Sequence, residues 1–295
     1  MIRYEISHTT RYFHSDPVAL SHNLVHLEPR TSDHQRCMSY RLMVHPSPSD
    51  RLRRRDYFGN HTESFAVYEP HEKMSVTATS VVEVAASVLP SQLAIKRSTA
   101  WPEVVRQMQA DVSANGLRVR QYAFASTRIS ITDAVKQYAT VSFTANRPIL
   151  DAALELNSRI HKDFQYDPRA TNVTSSIEDV LQLRRGVCQD FAHLQLACLR
   201  AVGLPARYVS GYLRTIPPSG QPRLVGADAS HAWISLFCGA TGWVDFDATN
   251  DVIPHGEHVT VAWGRDYSDV CPVQGVFVGG GQHVMSVEVD VNAMS

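Results

Sequence analysis

The chain has 295 residues, 44% of them hydrophobic and 19% charged, so it is long enough for a substantial core and is not typical of disordered proteins. Its formal net charge of −1 argues against a chain-wide basic surface for nucleic acid. No run of about 18 apolar residues is present to span a membrane, and no apolar segment of the signal-peptide type follows Met1.

The five cysteines are scattered, at positions 37, 188, 198, 238 and 271. None forms a Cys-x-x-Cys pair, so neither a structural zinc site nor a disulfide framework is expected. Reduced thiols and a cytoplasmic location fit this pattern best. His22/His26 and His255/His258 have ligand-like spacing, but neither pair has a convergent third ligand in the sequence, so no metal or other cofactor is expected.

Residues 1–85 are predicted to form a small antiparallel β-sandwich domain. Apolar and polar residues alternate over 38–44 and 74–82, and Gly59-Asn60 separates two apolar runs as a hairpin turn would. The basic run Arg51–Arg55 is interpreted as a solvated loop, because a phosphate site would need support from other residues.

Residues 86–147 are predicted to form a helical connector. One short helix is expected to open at Trp101-Pro102, since proline is favoured in the first helical turn, and another is expected over Ile131–Tyr138. From Pro148 the helical pattern sharpens, with apolar residues recurring on one face up to Phe164.

Two further helices follow in the predicted core. Ser175 and Glu178 have the spacing of a capping box that would start the first of them, and Gly186 is expected to end it. The second is expected to start near Cys188 and to end at Gly203, and its nearly continuous apolar character predicts burial.

Strands come after these helices. They are predicted over 206–213, 231–237 and 243–249, and helices followed by strands indicate an α+β fold for a core of residues 148–262. Residues 263–295 are predicted to be a tail whose strand returns to the body of the protein.

Cys188 is the strongest candidate for a reactive group. It follows a glycine break and opens an apolar helix, where unpaired N–H groups and the positive end of the helix dipole favour a thiolate. Cys198 lies among leucines on the same helix and is interpreted as a core residue. The remaining cysteines lack a pattern of polar partners.

A base and a residue to orient it are predicted on the hairpin that follows. If the turn is centred on Gly239, then His231 and Asp247 face each other directly, on the side of the sheet that also holds Trp233 and Asp245. Whether the two residues pair directly or diagonally, a hydrogen bond between the imidazole and the carboxylate is within reach. An aspartate that holds an imidazole, which in turn activates a thiol, is the arrangement that nucleophilic catalysis requires.

Three neighbours compete for these roles. His193 lies about 140° around the helix from Cys188 and is expected to point away from it. Asp190 is interpreted as a carboxylate that complements the helix dipole. Asp245 shares the predicted face of Asp247 and stays open as an alternative third member.

These motifs resemble the core of the bacterial transglutaminase-like superfamily, over about residues 148–262. The resemblance implies a papain-like fold of helices packed on an antiparallel sheet, and it assigns a Cys-His-Asp triad to Cys188, His231 and Asp247. The chain has Asp247-Ala-Thr where the family usually has Asp-Pro-Thr, which changes local stiffness and leaves the carboxylate in place. The four ordered motifs are Gly186-Val-Cys-Gln-Asp-Phe-Ala192, Arg200-Ala-Val-Gly-Leu-Pro-Ala-Arg-Tyr-Val-Ser-Gly-Tyr212, Ser230-His-Ala-Trp233 and Gly242-Trp-Val-Asp-Phe-Asp-Ala-Thr-Asn250.

The expected activity is thiol-dependent acyl transfer on peptide or carboxamide bonds, with hydrolysis favoured over transfer to an amine. Protein or peptide is the expected substrate, and no nucleic acid or membrane partner is expected. The backbone N–H of Cys188 would supply one oxyanion donor, and Tyr166 or Gln182 is a candidate for the second. A peptide-binding module without activity is the alternative from a different class.

Overall fold

The computed structural model describes residues 1–85, 90–172, 174–215 and 230–294, with residue 93 described by its backbone alone. It has the predicted α+β architecture. The strands are β1 (Ile2–Val25), β2 (Gln35–His45), β3 (Asp50–Arg55), β4 (His61–Val67), β5 (His71–Val84), β6 (Gln165–Tyr166), β7 (Arg185–Gly186), β8 (Ala206–Leu213), β9 (Ser230–Phe237), β10 (Trp243–Phe246), β11 (His258–Gly264), β12 (Val273–Gly279) and β13 (His283–Met294). The helices are α1 (Gln92–Lys96), α2 (Trp101–Ala110), α3 (Ala114–Arg120), α4 (Asp133–Thr140), α5 (Ile149–Asp163), α6 (Ile177–Leu183) and α7 (Cys188–Ala201).

The N-terminal region is an antiparallel sheet organised around the long strand β1. The first half of β1 lies between β5 and β13, and its second half lies between β4 and β12. Strands β2 and β3 extend the sheet beyond β5 and β4. Val25, Leu42, Phe65 and Val76 are buried in one core, so the sheet folds over on itself. The two C-terminal strands therefore complete the domain that the first residues begin.

The basic run was wrongly predicted to be a loop. Residues 50–55 form β3 at the edge of the sheet, where Arg51 pairs with Glu63 and Arg53 pairs with Glu28. Charged side chains on an edge strand discourage pairing with another chain, which gives this cluster a structural explanation.

Short helices connect this sheet to the rest of the chain. Helix α2 begins at Trp101 with Pro102 in its first turn, as predicted. The capping box of α6 is one residue later than predicted: the Ser176 hydroxyl accepts the Asp179 N–H at 3.1 Å, and the Asp179 carboxylate accepts the Ser176 N–H at 3.0 Å. Helix α6 ends at Leu183, before the predicted Gly186.

Helix α7 is the centre of the C-terminal half. It packs against a four-stranded antiparallel sheet of order β10-β9-β8-β11 and against α4, α5 and α6. Leu194 and Cys198 of α7 are fully buried in a core that also contains Ile6 of β1 and Val291 of β13. The β domain and the helical half thus share one core. None of the helices in the described part of the chain has the length and apolarity needed to cross a membrane.

Candidate active site

Cys188 is the first residue of α7 and is partly buried. The side chain of Asp190 folds back over the start of the helix, where it accepts the N–H of Val187 at 2.8 Å and the hydroxyl of Thr171 at 2.6 Å. Asp190 therefore holds the first turn of the helix. Burial raises the pKa of this carboxyl, while its hydrogen bonds oppose that rise.

Steric crowding by Asp190 explains why position 186, just before this helix, is a glycine. A Cβ atom at position 186 would lie 2.7 Å from Oδ2 of Asp190 and 2.8 Å from its Cβ.

We therefore expect Gly186→Ala to destabilise the protein by about 1–3 kcal/mol, the usual cost of overpacking, as measured by urea unfolding. If the clash with Asp190 is the cause, the cost of Gly186→Ala should shrink in an Asp190→Ala background. An equal cost in both backgrounds would contradict this explanation.

His231 and Asp247 are brought together by the β9–β10 hairpin. His231 Nε2 lies 2.7 Å from Asp247 Oδ2. The register expected for a turn centred on Gly239 is not the one observed, because Trp243 pairs with Phe237 and the strands are displaced by two residues. The expected contact between the imidazole and the carboxylate is present. A 3-10 turn over Gly239–Thr241 causes this displacement. A shift by an even number keeps side chains on the same face, so the two residues meet diagonally.

The carboxylate of Asp247 is fully buried and receives five N–H donors. Oδ1 accepts the backbone N–H groups of Thr249 at 2.9 Å and Asn250 at 3.2 Å. Oδ2 contacts His231, His258 at 3.0 Å and the Asn250 amide at 2.7 Å. Burial alone would raise the pKa of Asp247, but these hydrogen bonds and the His231 charge hold it well below its usual range.

The imidazole of His231 is buried between the carboxylate and the thiol. Burial acts to lower the pKa of His231, but hydrogen bonds and charge interactions with Asp247 and Cys188 outweigh it and leave the pKa raised. Since Nε2 faces Asp247, Nδ1 is the nitrogen left for Cys188. This geometry suits a thiolate–imidazolium pair, in which the imidazole can take and return a proton.

The rival residues have other partners. His193 is buried and its Nε2 accepts the backbone N–H of Tyr267 at 3.2 Å. Burial lowers the pKa of His193 to about 4, which disfavours a charged role. Asp245 accepts the indole N–H of Trp233 at 3.0 Å. These contacts give both side chains structural explanations.

The two candidates for a second oxyanion donor lie in different settings. Tyr166 lies on β6, where it pairs with Gly186, so it is near the start of α7 and about half exposed. Burial and the charge of Cys188 raise the pKa of Tyr166. Gln182 is exposed on α6. By position the structure thus favours Tyr166 over Gln182. The role of Tyr166 as the second oxyanion donor stays a prediction.

Three supporting residues were not found from the sequence. Asn157 is buried on α5 and donates to the backbone carbonyl of Asp247 at 3.2 Å. Asn250 closes a turn over Asp247, which the Asp-x-x-Asn spacing could have indicated. His258 could be found only from the fold, because its position depends on the placement of β11.

The ligand atoms of His231, Asp247 and His258 lie within 4.8 Å of one another, the one such group of three among the described residues. The sequence did not indicate this convergence of His258 with the hairpin. A metal here would need both imidazole nitrogens and Oδ2 as lone-pair donors. Since Oδ2 is already contacted by the Asn250 amide and both imidazoles, the arrangement is better suited to a hydrogen-bonded carboxylate.

Comparison with known proteins shows the family of this chain. Residues 4–83 match the bacterial transglutaminase-like N-terminal region, and residues 136–248 match the transglutaminase-like superfamily. An uncharacterized protein of Mycobacterium tuberculosis is 40% identical, and the alignment covers 98% of this chain and 92% of the relative. The chain belongs to the transglutaminase-like superfamily.

This transglutaminase-like protein is also similar to two more distant proteins, one in structure and one in sequence. The solved structure of a candidate cysteine protease from Cytophaga hutchinsonii superposes with a TM-score of 0.79 at 21% identity, over 100% of this chain and 91% of that one. This likeness confirms the fold. A protein-glutamine gamma-glutamyltransferase of Pseudomonas aeruginosa is 29% identical over 162 residues, which is 54% of this chain and 23% of that protein.

Proposed function

We propose that this protein cleaves peptide or carboxamide bonds by acyl transfer through Cys188. The observation that carries the proposal is the arrangement of a cysteine at a helix start, an imidazole that interacts with it and a buried carboxylate 2.7 Å from that imidazole. Each part has one task in thiol catalysis: nucleophile, base and orienting group.

The reaction has two steps. The Cys188 thiolate attacks the substrate carbonyl, and the backbone N–H at the start of α7 stabilises the oxyanion that forms. The His231 imidazolium then gives its proton to the leaving amine, and the C–N bond breaks to leave a thioester. In the second step water attacks the thioester, His231 takes its proton, and the carboxylic acid leaves as the thiolate is restored.

Water is our preferred acceptor, because neither a motif of the sequence nor a feature of the described residues commits the protein to cross-linking. Transfer to a primary amine is the second candidate, since the Pseudomonas aeruginosa relative is named as a protein-glutamine gamma-glutamyltransferase. A binding module without activity is disfavoured by the presence of all three groups with their partners. Both acyl transfers share the thioester, so they differ only in what resolves it.

The acceptor can be determined from product masses. We expect a glutamine-containing peptide library, incubated with the protein and a primary amine, to yield carboxylic acid products and no amine adducts. Mass spectrometry of the products, with Cys188→Ala as the control, makes the measurement. Amine adducts that form in preference to acids would overturn hydrolysis and establish the amine as acceptor. Absence of both products, together with tight peptide binding, would favour the binding module.

A reducing, cytoplasmic location accompanies this proposal. All five cysteines are free thiols, and Cys188 must stay reduced in order to react. The substrate is proposed to be a protein or peptide, with no nucleic-acid or membrane partner. Redox-state mapping of Cys188 in cell extracts would test the location, since a largely oxidised thiol would contradict it.

A further inference from the structure

A second imidazole contacts the buried carboxylate of the site. His258 begins β11, has a side chain that is 7% exposed, and places Nε2 3.0 Å from Asp247 Oδ2. Because a carboxylate oxygen accepts hydrogen bonds, Nε2 of His258 is the donor. Asp247 therefore receives imidazole contacts from β9 through His231 and from β11 through His258.

The ring of His258 is fixed by packing as well as by this bond. Trp233 meets it edge to face with ring centroids 5.1 Å apart, and the same indole lies 6.1 Å from His231. The indole itself is anchored through its N–H on Asp245. Gly211 makes room for it, because a Cβ atom there would lie 2.6 Å from the Trp233 ring. Both imidazoles therefore pack against the same indole.

Only one of the two ring nitrogens of His258, Nε2, has a hydrogen-bond partner among the described residues, and that partner is Asp247. Its other nitrogen, Nδ1, is buried and has no hydrogen-bond partner among the described residues. Its ring also borders a cavity of about 540 Å³, which His255, Glu257 and several apolar side chains line. Burial of an imidazole with Nδ1 unpaired costs free energy. The hydrogen bond from Nε2 to Asp247 is the contact that offsets this cost.

We propose that His258 is a positioning residue for the acyl-transfer reaction, which fixes the Asp247 carboxylate so that Oδ2 meets His231. The inference rests on the proposed function of Cys188. His258 acts through Asp247: it contacts the same oxygen, Oδ2, as His231, and the centroids of the two imidazoles lie 5.8 Å apart. Residues that orient the ligands of metal sites typically change activity by about 10- to 100-fold when they are removed, and we expect an effect of the same order for a residue that orients this carboxylate.

A matched pair of substitutions separates the donor from the bulk of the side chain. His258→Gln keeps an N–H donor at a similar reach, while His258→Met has a similar length and no donor. We expect His258→Met to lower kcat by about 10- to 100-fold with KM little changed, and His258→Gln to retain most of the activity. His22→Gln, an exposed substitution on the N-terminal sheet, is the control for histidine loss.

The second readout is the pH dependence of Cys188 alkylation by iodoacetamide, which reports the thiolate–imidazolium pair without any substrate. We expect the pH midpoint of alkylation to be higher in His258→Met than in the parent, and that in His258→Gln to equal the parent's. Circular dichroism confirms that each variant is folded.

The outcomes distinguish this inference from the proposed function. If parent Cys188 shows no enhanced alkylation, the proposed function fails. If the parent reacts normally and His258→Met keeps its profile and its kcat, the positioning role alone is overturned. Should His258→Met not fold, His258→Gln decides: a profile like the parent's supports the role, and a profile displaced to higher pH refutes it.

Discussion

Cys188→Ala is expected to reduce turnover by on the order of 10⁴- to 10⁶-fold, because removal of the nucleophile leaves only binding and oxyanion stabilisation. The fold should survive, since the side chain is only partly buried and the first turn of α7 is held by Asp190. The measurements are steady-state turnover of a peptide substrate and covalent labelling by iodoacetamide at neutral pH.

The other thiols provide the control. Burial raises the pKa of Cys37 to about 11 and that of Cys198 to about 12, so neither should be alkylated at neutral pH. Cys37→Ala changes a partly buried thiol on β2, outside the proposed site, and should leave labelling and turnover as in the parent. If Cys188→Ala labels as strongly as the parent, or if Cys37→Ala loses activity as severely, Cys188 is not the nucleophile.

The placement of Cys188 at a helix start and the contact between His231 and Asp247 could be predicted from the sequence, because their signals are local. A glycine break before an apolar helix identified Cys188 at a helix start, and the structure shows the reason, since only glycine at position 186 leaves room for Asp190. Strand alternation identified the face that His231 and Asp247 share. The predicted register of the two strands differs from the observed one by two residues, and a difference of two leaves the side chains on the same face.

The surroundings of the centre could not be predicted, because they depend on contacts between distant segments. His258 reaches Asp247 only because β11 pairs with β8 in one particular register. Arg51 and Arg53 lie in a strand because residues 50–55 pair with β4, and their ion pairs with Glu63 and Glu28 come from segments that the basic run itself does not reveal. Local patterns therefore gave the candidate chemistry, and the fold supplied its supporting residues.

Asp247→Asn should lower turnover by about 10⁴-fold, because an amide can present its N–H to His231 and so favour the wrong tautomer of the imidazole. The backbone donors of Thr249 and Asn250 can still bond the remaining oxygen, so we expect the fold to persist. Turnover of a peptide substrate, together with thermal unfolding, measures both effects. Asp245→Asn is the matched control, since it changes the same group on the same face and is expected to cost less than about tenfold.

Stability against pH gives Asp247→Asn a second readout. A carboxylate whose folded pKa lies below its ordinary value of about 3.9 adds stability above that pH, and this contribution is lost progressively as the pH falls from about 5 toward the folded pKa. The parent should therefore lose stability on acidification more steeply than Asp247→Asn, as urea unfolding from pH 6 down to about 3 would measure. Unchanged turnover in Asp247→Asn, with a large loss in Asp245→Asn, would instead assign the orienting role to Asp245.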